Sequence, residues 1–124
     1  MKWIQGLRLL NGDVQVKMLE DSNLLMYLTP DESLRVRSHS LTGFEWGYGG
    51  SGPAQLALAL LLAVGVEASR ADQLHQAYKW AVVARFAKDG FVISHALILA
   101  WVSRRGKDMS PDLEPSPWKV PEPD

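Results

Sequence analysis

Apolar and polar positions follow a period of two at the front of the chain and a helical period at the back. Val14, Val16 and Met18 alternate with Gln15 and Lys17, so a strand over 14–19 buries one face. Residues 2–10 read as its partner, and Asn11-Gly12-Asp13 between them is a hairpin signal. After a polar turn at 20–23, residues 24–28 are apolar throughout and read as a third strand. Thr29-Pro30-Asp31-Glu32 punctuates again. Leu34, Val36 and Ser38 then alternate with Arg35, Arg37 and His39, which predicts a fourth strand at an edge of the sheet, with both arginines on one face.

Behind residue 50 the pattern changes. Residues 54–64 are Ala and Leu almost throughout, with Gln55 the polar exception. Both are strong helix formers, so this run predicts a helix apolar on nearly every side and therefore buried. Pro53 suits its first turn, Ser51 or Gly52 its cap, and Gly65 its stop. Leu74, Tyr78, Ala81, Val82 and Phe86 repeat at helical spacing, predicting an amphipathic helix over 71–87, capped by Ser69, with Asp72 in the first turn and Asp89-Gly90 at its end. His75 falls on its polar side. Phe91, Val92 and Ile93 read as an apolar connector, and Ser94 as the cap of a last helix over 95–105, stopped by Gly106. Segregated strand and helix runs predict an α+β fold, an N-terminal antiparallel meander packed on about three C-terminal helices. The domain covers 1–106. Residues 107–124 hold five of the seven prolines and no period, which predicts a flexible tail with Trp118 as its sticky residue.

The segment 38–65 concentrates six of the ten glycines and feeds a glycine-rich aromatic loop into the apolar helix. Amides at a helix start favour an anion, and Gly49, Gly50 and Gly52 permit close backbone approach and positive φ. The expected site is a concave polar pocket at this junction, built from His39, Glu45, Trp46, Tyr48, Gly49, Gly50, Ser51 and Gly52, with Arg37 at its rim. A tightly packed structural loop is the competing reading. The run from Gly47 to Gly52 is no Walker loop, because Pro53 and Ala54 follow where Lys and Ser or Thr belong. The motif His39-Ser40-x-Thr42-Gly43-Phe44-Glu45-Trp46-Gly47-Tyr48-Gly49-Gly50-Ser51-Gly52-Pro53-Ala54-Gln55-Leu56-Ala57-Leu58 resembles the signature of a family of small proteins, a domain of unknown function found in bacteria and archaea and often carried by phages and plasmids. Leu41 stands where that family usually has proline. The resemblance implies a mobile-element setting and supplies no activity.

Composition narrows the chemistry. The 124 residues suit one domain with a real core. The absence of cysteine excludes disulfides, thiolate metal sites and cysteine catalysis. No signal peptide is recognisable, so the expected compartment is the cytoplasm. A net charge of −1 argues against broad electrostatic binding to nucleic acid. His39, His75 and His95 are too far apart in sequence to form a local metal motif, and neither a metal nor a cofactor is expected. Three function classes stay open. The first is a binding module engaging a host protein, as in counter-defence, or a small anionic ligand. The second is a small-ligand enzyme using His39 and Glu45 in acid–base roles. The third is a DNA-associated accessory protein that uses the last two helices as a helix-turn-helix.

Overall fold

The computed structural model describes residues 1–108. Its elements are β1 (Lys2–Arg8), β2 (Val14–Glu20), β3 (Asn23–Leu28), α1 (Asp31–Val36), α2 (Ser51–Ala63), α3 (Ala68–Ala81), a 3-10 turn (Val83–Arg85), β4 (Gly90–Ser94) and α4 (His95–Asp108). The α+β expectation holds. β1, β2 and β3 form the antiparallel meander, and the Asn11–Asp13 turn joins the first two, with the Asp13 N–H donating to the Asn11 side chain at 2.9 Å.

Two predicted elements are corrected. The strand expected at 34–39 does not form: 34–36 end the short helix α1, and 37–39 are irregular. Six residues are too few to separate a period of two from one of 3.6. Pro30 ahead of Asp31 and Glu32, with Arg35 in the last turn, gives the helix its end charges. The connector at 91–93 is a strand. Phe91 and Ile93 are buried while Val92 is 60 % exposed, an alternation hidden because all three are apolar. β4 pairs antiparallel with β1, and the sheet order is β3-β2-β1-β4.

The helices also shift at their ends. Gly50, not Ser51 or Gly52, caps α2. Its far end is as expected: Gly65 at φ +93°, with Val66 N–H on the Leu61 carbonyl and Gly65 N–H on the Leu62 carbonyl, satisfies the last carbonyls as a Schellman stop. α3 starts earlier than expected because Glu67, rather than Ser69, caps it by accepting from Arg70 N–H. It ends at Ala81, well short of Ala87. Beyond it the chain makes only the 3-10 turn, and the carbonyls of Val83, Ala87 and Lys88 accept from the signature loop. α4 runs through Gly106, and Ser94 caps it as predicted, accepting from Leu97 N–H at 3.0 Å. The proline-rich segment and Trp118 lie outside the described residues.

One apolar cluster joins the inner face of the sheet (Ile4, Val16, Met18, Leu28, Phe91, Ile93) to α2, α3 and α4. Leu56, Leu58, Leu60 and Leu61 of α2 are all fully buried, as a helix with no polar face requires. Among the described residues no helix is long and apolar enough to cross a membrane.

Candidate functional site

The signature loop winds between β1, α3 and the start of α2, and most of its side chains are spent on packing. Trp46 is fully buried. Its indole N–H donates to the Ala87 and Lys88 carbonyls at 3.0 and 3.2 Å, and its ring meets Phe91 edge-to-face at 4.9 Å. It therefore belongs to the core. Glu45 is held by Arg8 in a two-pronged pair at 2.7 and 2.9 Å, and Arg8 also reaches the Lys88 carbonyl. That hydrogen bonding holds the Glu45 carboxyl below the usual carboxylate range. Positive φ falls at Gly43 and Gly47, not at Gly49, Gly50 or Gly52. Those three are glycine for a different reason, which is close approach. The Trp80 indole occupies the place of a Cβ at Gly49, the Tyr48 ring that at Gly50 and the Glu45 side chain that at Gly52. Tyr48 stays half exposed, with the Lys88 ammonium 6.0 Å from its ring, and Ser51 is exposed in the first turn of α2. The chain's own side chains thus fill the junction where a concave pocket was expected.

His39 goes elsewhere, into a polar cluster that the sequence does not announce. Gln55, the one polar side chain of the α2 run, is fully buried and makes four hydrogen bonds. Its Oε1 accepts from the His39 and Ser40 N–H groups at 2.7 and 3.0 Å. Its Nε2 donates to Ser33 Oγ at 2.8 Å and to the Arg37 carbonyl at 3.0 Å. One residue of α2 thereby clamps α1 and the segment that follows it. The clamp delivers the His39 ring to His75, with Nε2 to Nε2 at 2.7 Å. His75 was expected to be solvated on the polar side of its helix, yet it is 2 % exposed, because the segment after α1 lies over that side. Its Nδ1 lies 2.7 Å from the Asp72 carbonyl, and Asp72 in turn pairs with Arg37 through both carboxylate oxygens at 2.6 and 2.9 Å.

These contacts fix the proton positions of the neutral rings. A carbonyl only accepts, so His75 Nδ1 carries its hydrogen and His75 Nε2 bears the lone pair. His39 Nε2 must then be the donor across the pair. Burial pushes both imidazoles below their ordinary pKa; Arg37 and Lys79 push His39 the same way, and His39 opposes a charge on His75. Of the eight expected site residues, the structure thus gathers Glu45, Trp46, Tyr48, Gly49, Gly50, Ser51 and Gly52 around the α2 start and sends His39 to α3. Gln55, His75, Asp72 and Arg8 were missed as site residues. An isolated Gln in an Ala-Leu run was the available signal for the first.

A family model matches residues 4–104. The chain belongs to DUF6166, a family of unknown function. No curated protein and no solved structure matches it. This DUF6166 chain has a run of exposed apolar side chains away from the signature loop. β3 is an edge strand, and Leu24, Leu25, Met26 and Tyr27 are each about half exposed (47–50 %). A groove of about 360 Å³ runs beside it, floored by Met26, Leu28, Ala59, Leu62 and Ala63 and rimmed by Asp31, Glu32 and Arg35. A second cleft of about 470 Å³ lies around the end of β3, between the β1–β2 turn and Thr42–Glu45. Gly49 to Gly52 border neither cleft.

Proposed function

We propose that the protein is a protein-binding module that takes an extended segment of a partner alongside β3. The observation that carries this is the edge strand itself. Natural sheets protect an open edge with charge, proline or brevity, and β3 is six residues long, uncharged and apolar after Asn23, with its outer side unpaired among the described residues. A strand added there pairs its backbone with β3 and sends alternate side chains into the groove against Met26, Leu28 and Ala59.

Charge selects the occupant. Between Lys17 and Arg35 the chain carries Glu20, Asp21, Asp31 and Glu32 and no basic residue. The Met1 ammonium, 3.4 Å from both Glu20 and Asp21, offsets one of these charges and leaves both ends of the strand negative. A second copy pairing antiparallel on β3 would bring Glu20 and Asp21 against the acidic start of its partner's α1, a like-charge arrangement that opposes self-association. A partner segment with an apolar core and basic flanks meets the frame. The mobile-element setting implied by the signature makes a host protein the expected source of that segment. The acidic frame disfavours nucleic acid on this face. The acid–base pairing of His39 with Glu45 finds no support, since Glu45 is committed to Arg8 and His39 to Gln55 and His75.

The test uses two synthetic peptides with the same core of alternating valine and serine, one flanked by lysines and the other by glutamates. The lysine peptide is expected to shift the amide resonances of 23–28, to weaken as salt rises and to fail against Met26→Arg. Equal binding of the glutamate peptide, or shifts confined to other segments, overturns the reading. So does concentration-dependent dimerisation through β3.

A further inference from the structure

We propose that His39 and His75 form a binding site for a divalent transition metal ion such as Zn²⁺. The two imidazole Nε2 atoms face one another head-on across 2.7 Å, with ring centroids 4.9 Å apart, so a turn of the His39 ring brings two nitrogen donors onto one ion. His75 is already set as a ligand. Its Nδ1 hydrogen is spent on the Asp72 carbonyl, so its lone pair sits on Nε2, and a backbone carbonyl behind the ring is the usual outer support of a metal-bound histidine. His39 needs only to move its hydrogen from Nε2 to Nδ1, a change of tautomer without a change of charge. Zinc–nitrogen bonds of about 2.0–2.1 Å in tetrahedral geometry set two ligand nitrogens roughly 3.3 Å apart with their lone pairs at about 109°, so the rings must separate by about 0.6 Å and turn out of their head-on alignment. His39 is only partly buried, on a non-helical segment, and can supply that movement.

Among the described residues no group of three or more His, Cys, Asp or Glu side chains is placed to hold a metal, so water completes the coordination. The charged groups around the pair are Asp72, which favours a dication, and Arg37 and Lys79, which oppose it. Arg37 is itself neutralised by Asp72. The balance makes this an affinity below that of a closed structural zinc site. The inference is independent of the β3 proposal, because it uses none of the same side chains.

Tag-free protein in metal-free buffer at pH 7.5 is titrated with zinc chloride by calorimetry, with the imidazole ¹⁵N resonances followed in parallel. One ion per chain is expected, with Nε2 rather than Nδ1 of both histidines shifting. His39→Gln, whose partly exposed site tolerates the change, is expected to weaken binding by about tenfold or more, as loss of a ligand must if loss of an outer support costs that much. His95→Gln is expected to leave binding unchanged and to control for loose surface histidines. Absence of heat and of shifts at millimolar zinc overturns the proposal, leaving a hydrogen-bonded pair that shares a proton. Binding that survives His39→Gln, or that enters through Nδ1, overturns it as well.

Discussion

Replacing Gln55 by alanine removes four hydrogen bonds with one substitution, and the structure allows the loss to be worked out. A hydrogen bond contributes a net of about 1 kcal/mol, and a buried group left unpaired costs about 1–3 kcal/mol. Among the partners of Gln55 only Ser33 is fully buried, and its hydroxyl keeps an acceptor in the Pro30 carbonyl at 2.9 Å. The His39 and Ser40 N–H groups and the Arg37 carbonyl lie nearer solvent, so water relieves part of their loss. About 0.5–1 kcal/mol for each backbone group and about 1 kcal/mol for the Ser33 bond give roughly 3 kcal/mol. Truncating a side chain with no exposure adds about 1 kcal/mol of lost packing. A total near 4 kcal/mol is a large share of the roughly 5–15 kcal/mol that holds a domain together. Urea unfolding at pH 7.5, with an unchanged slope, reads this directly as a lower midpoint. Gln55→Leu separates the two contributions, since it refills the volume and restores no hydrogen bond; it is expected to remain about 2 kcal/mol or more below wild type. A leucine variant as stable as wild type would show that Gln55 supplies volume and that the clamp on His39 and α1 is energetically idle.

Gly49→Ala should cost about 2 kcal/mol, because the Trp80 indole must leave the position of the new methyl; an unchanged melting temperature and unchanged tryptophan fluorescence would contradict this. Leu58→Asp should unfold the domain, since a fully buried and unpaired carboxylate costs several kcal/mol, and a soluble variant with the wild-type melting temperature would refute the burial. Stability should fall on acidification. His39 and His75 have folded pKa values depressed below 6.5, first by burial, so the unfolded chain binds more protons than the folded one. Stability is therefore fully present above about pH 6.5 and declines as pH falls below it. Glu45 and Asp72, held low first by hydrogen bonds from Arg8 and Arg37, withdraw further stability as pH falls through the carboxylate range. A wild-type melting temperature flat from pH 7.5 to pH 5 would contradict the histidine part, and His39→Gln is expected to flatten that part of the curve.

Local chemistry settled much of this molecule before any contact was known. The alternation of Val14, Val16 and Met18, the Asn11–Asp13 turn and the Ala-Leu run ending in Gly65 each encode their element within a dozen residues, so β1, β2, β3 and α2 are legible in the chain itself. The glycines of 43–52 likewise marked where backbone and rings crowd together. What they pack against was not legible, because Trp80, Phe91 and Lys88 come from sequence-distant elements. β4 escaped notice because a strand of five residues becomes one only beside β1, whose partner positions lie more than 80 residues away. The helical period of α3 was visible but its end was not, since the signature loop takes up carbonyls just beyond it. The same applies to the histidines. A side chain on the polar side of a helix reads as solvated until another segment covers it, and only the Gln55 clamp brings His39 onto His75. Pairing over long sequence separations leaves no periodicity in the chain; it exists only once the tertiary structure has brought the partners together.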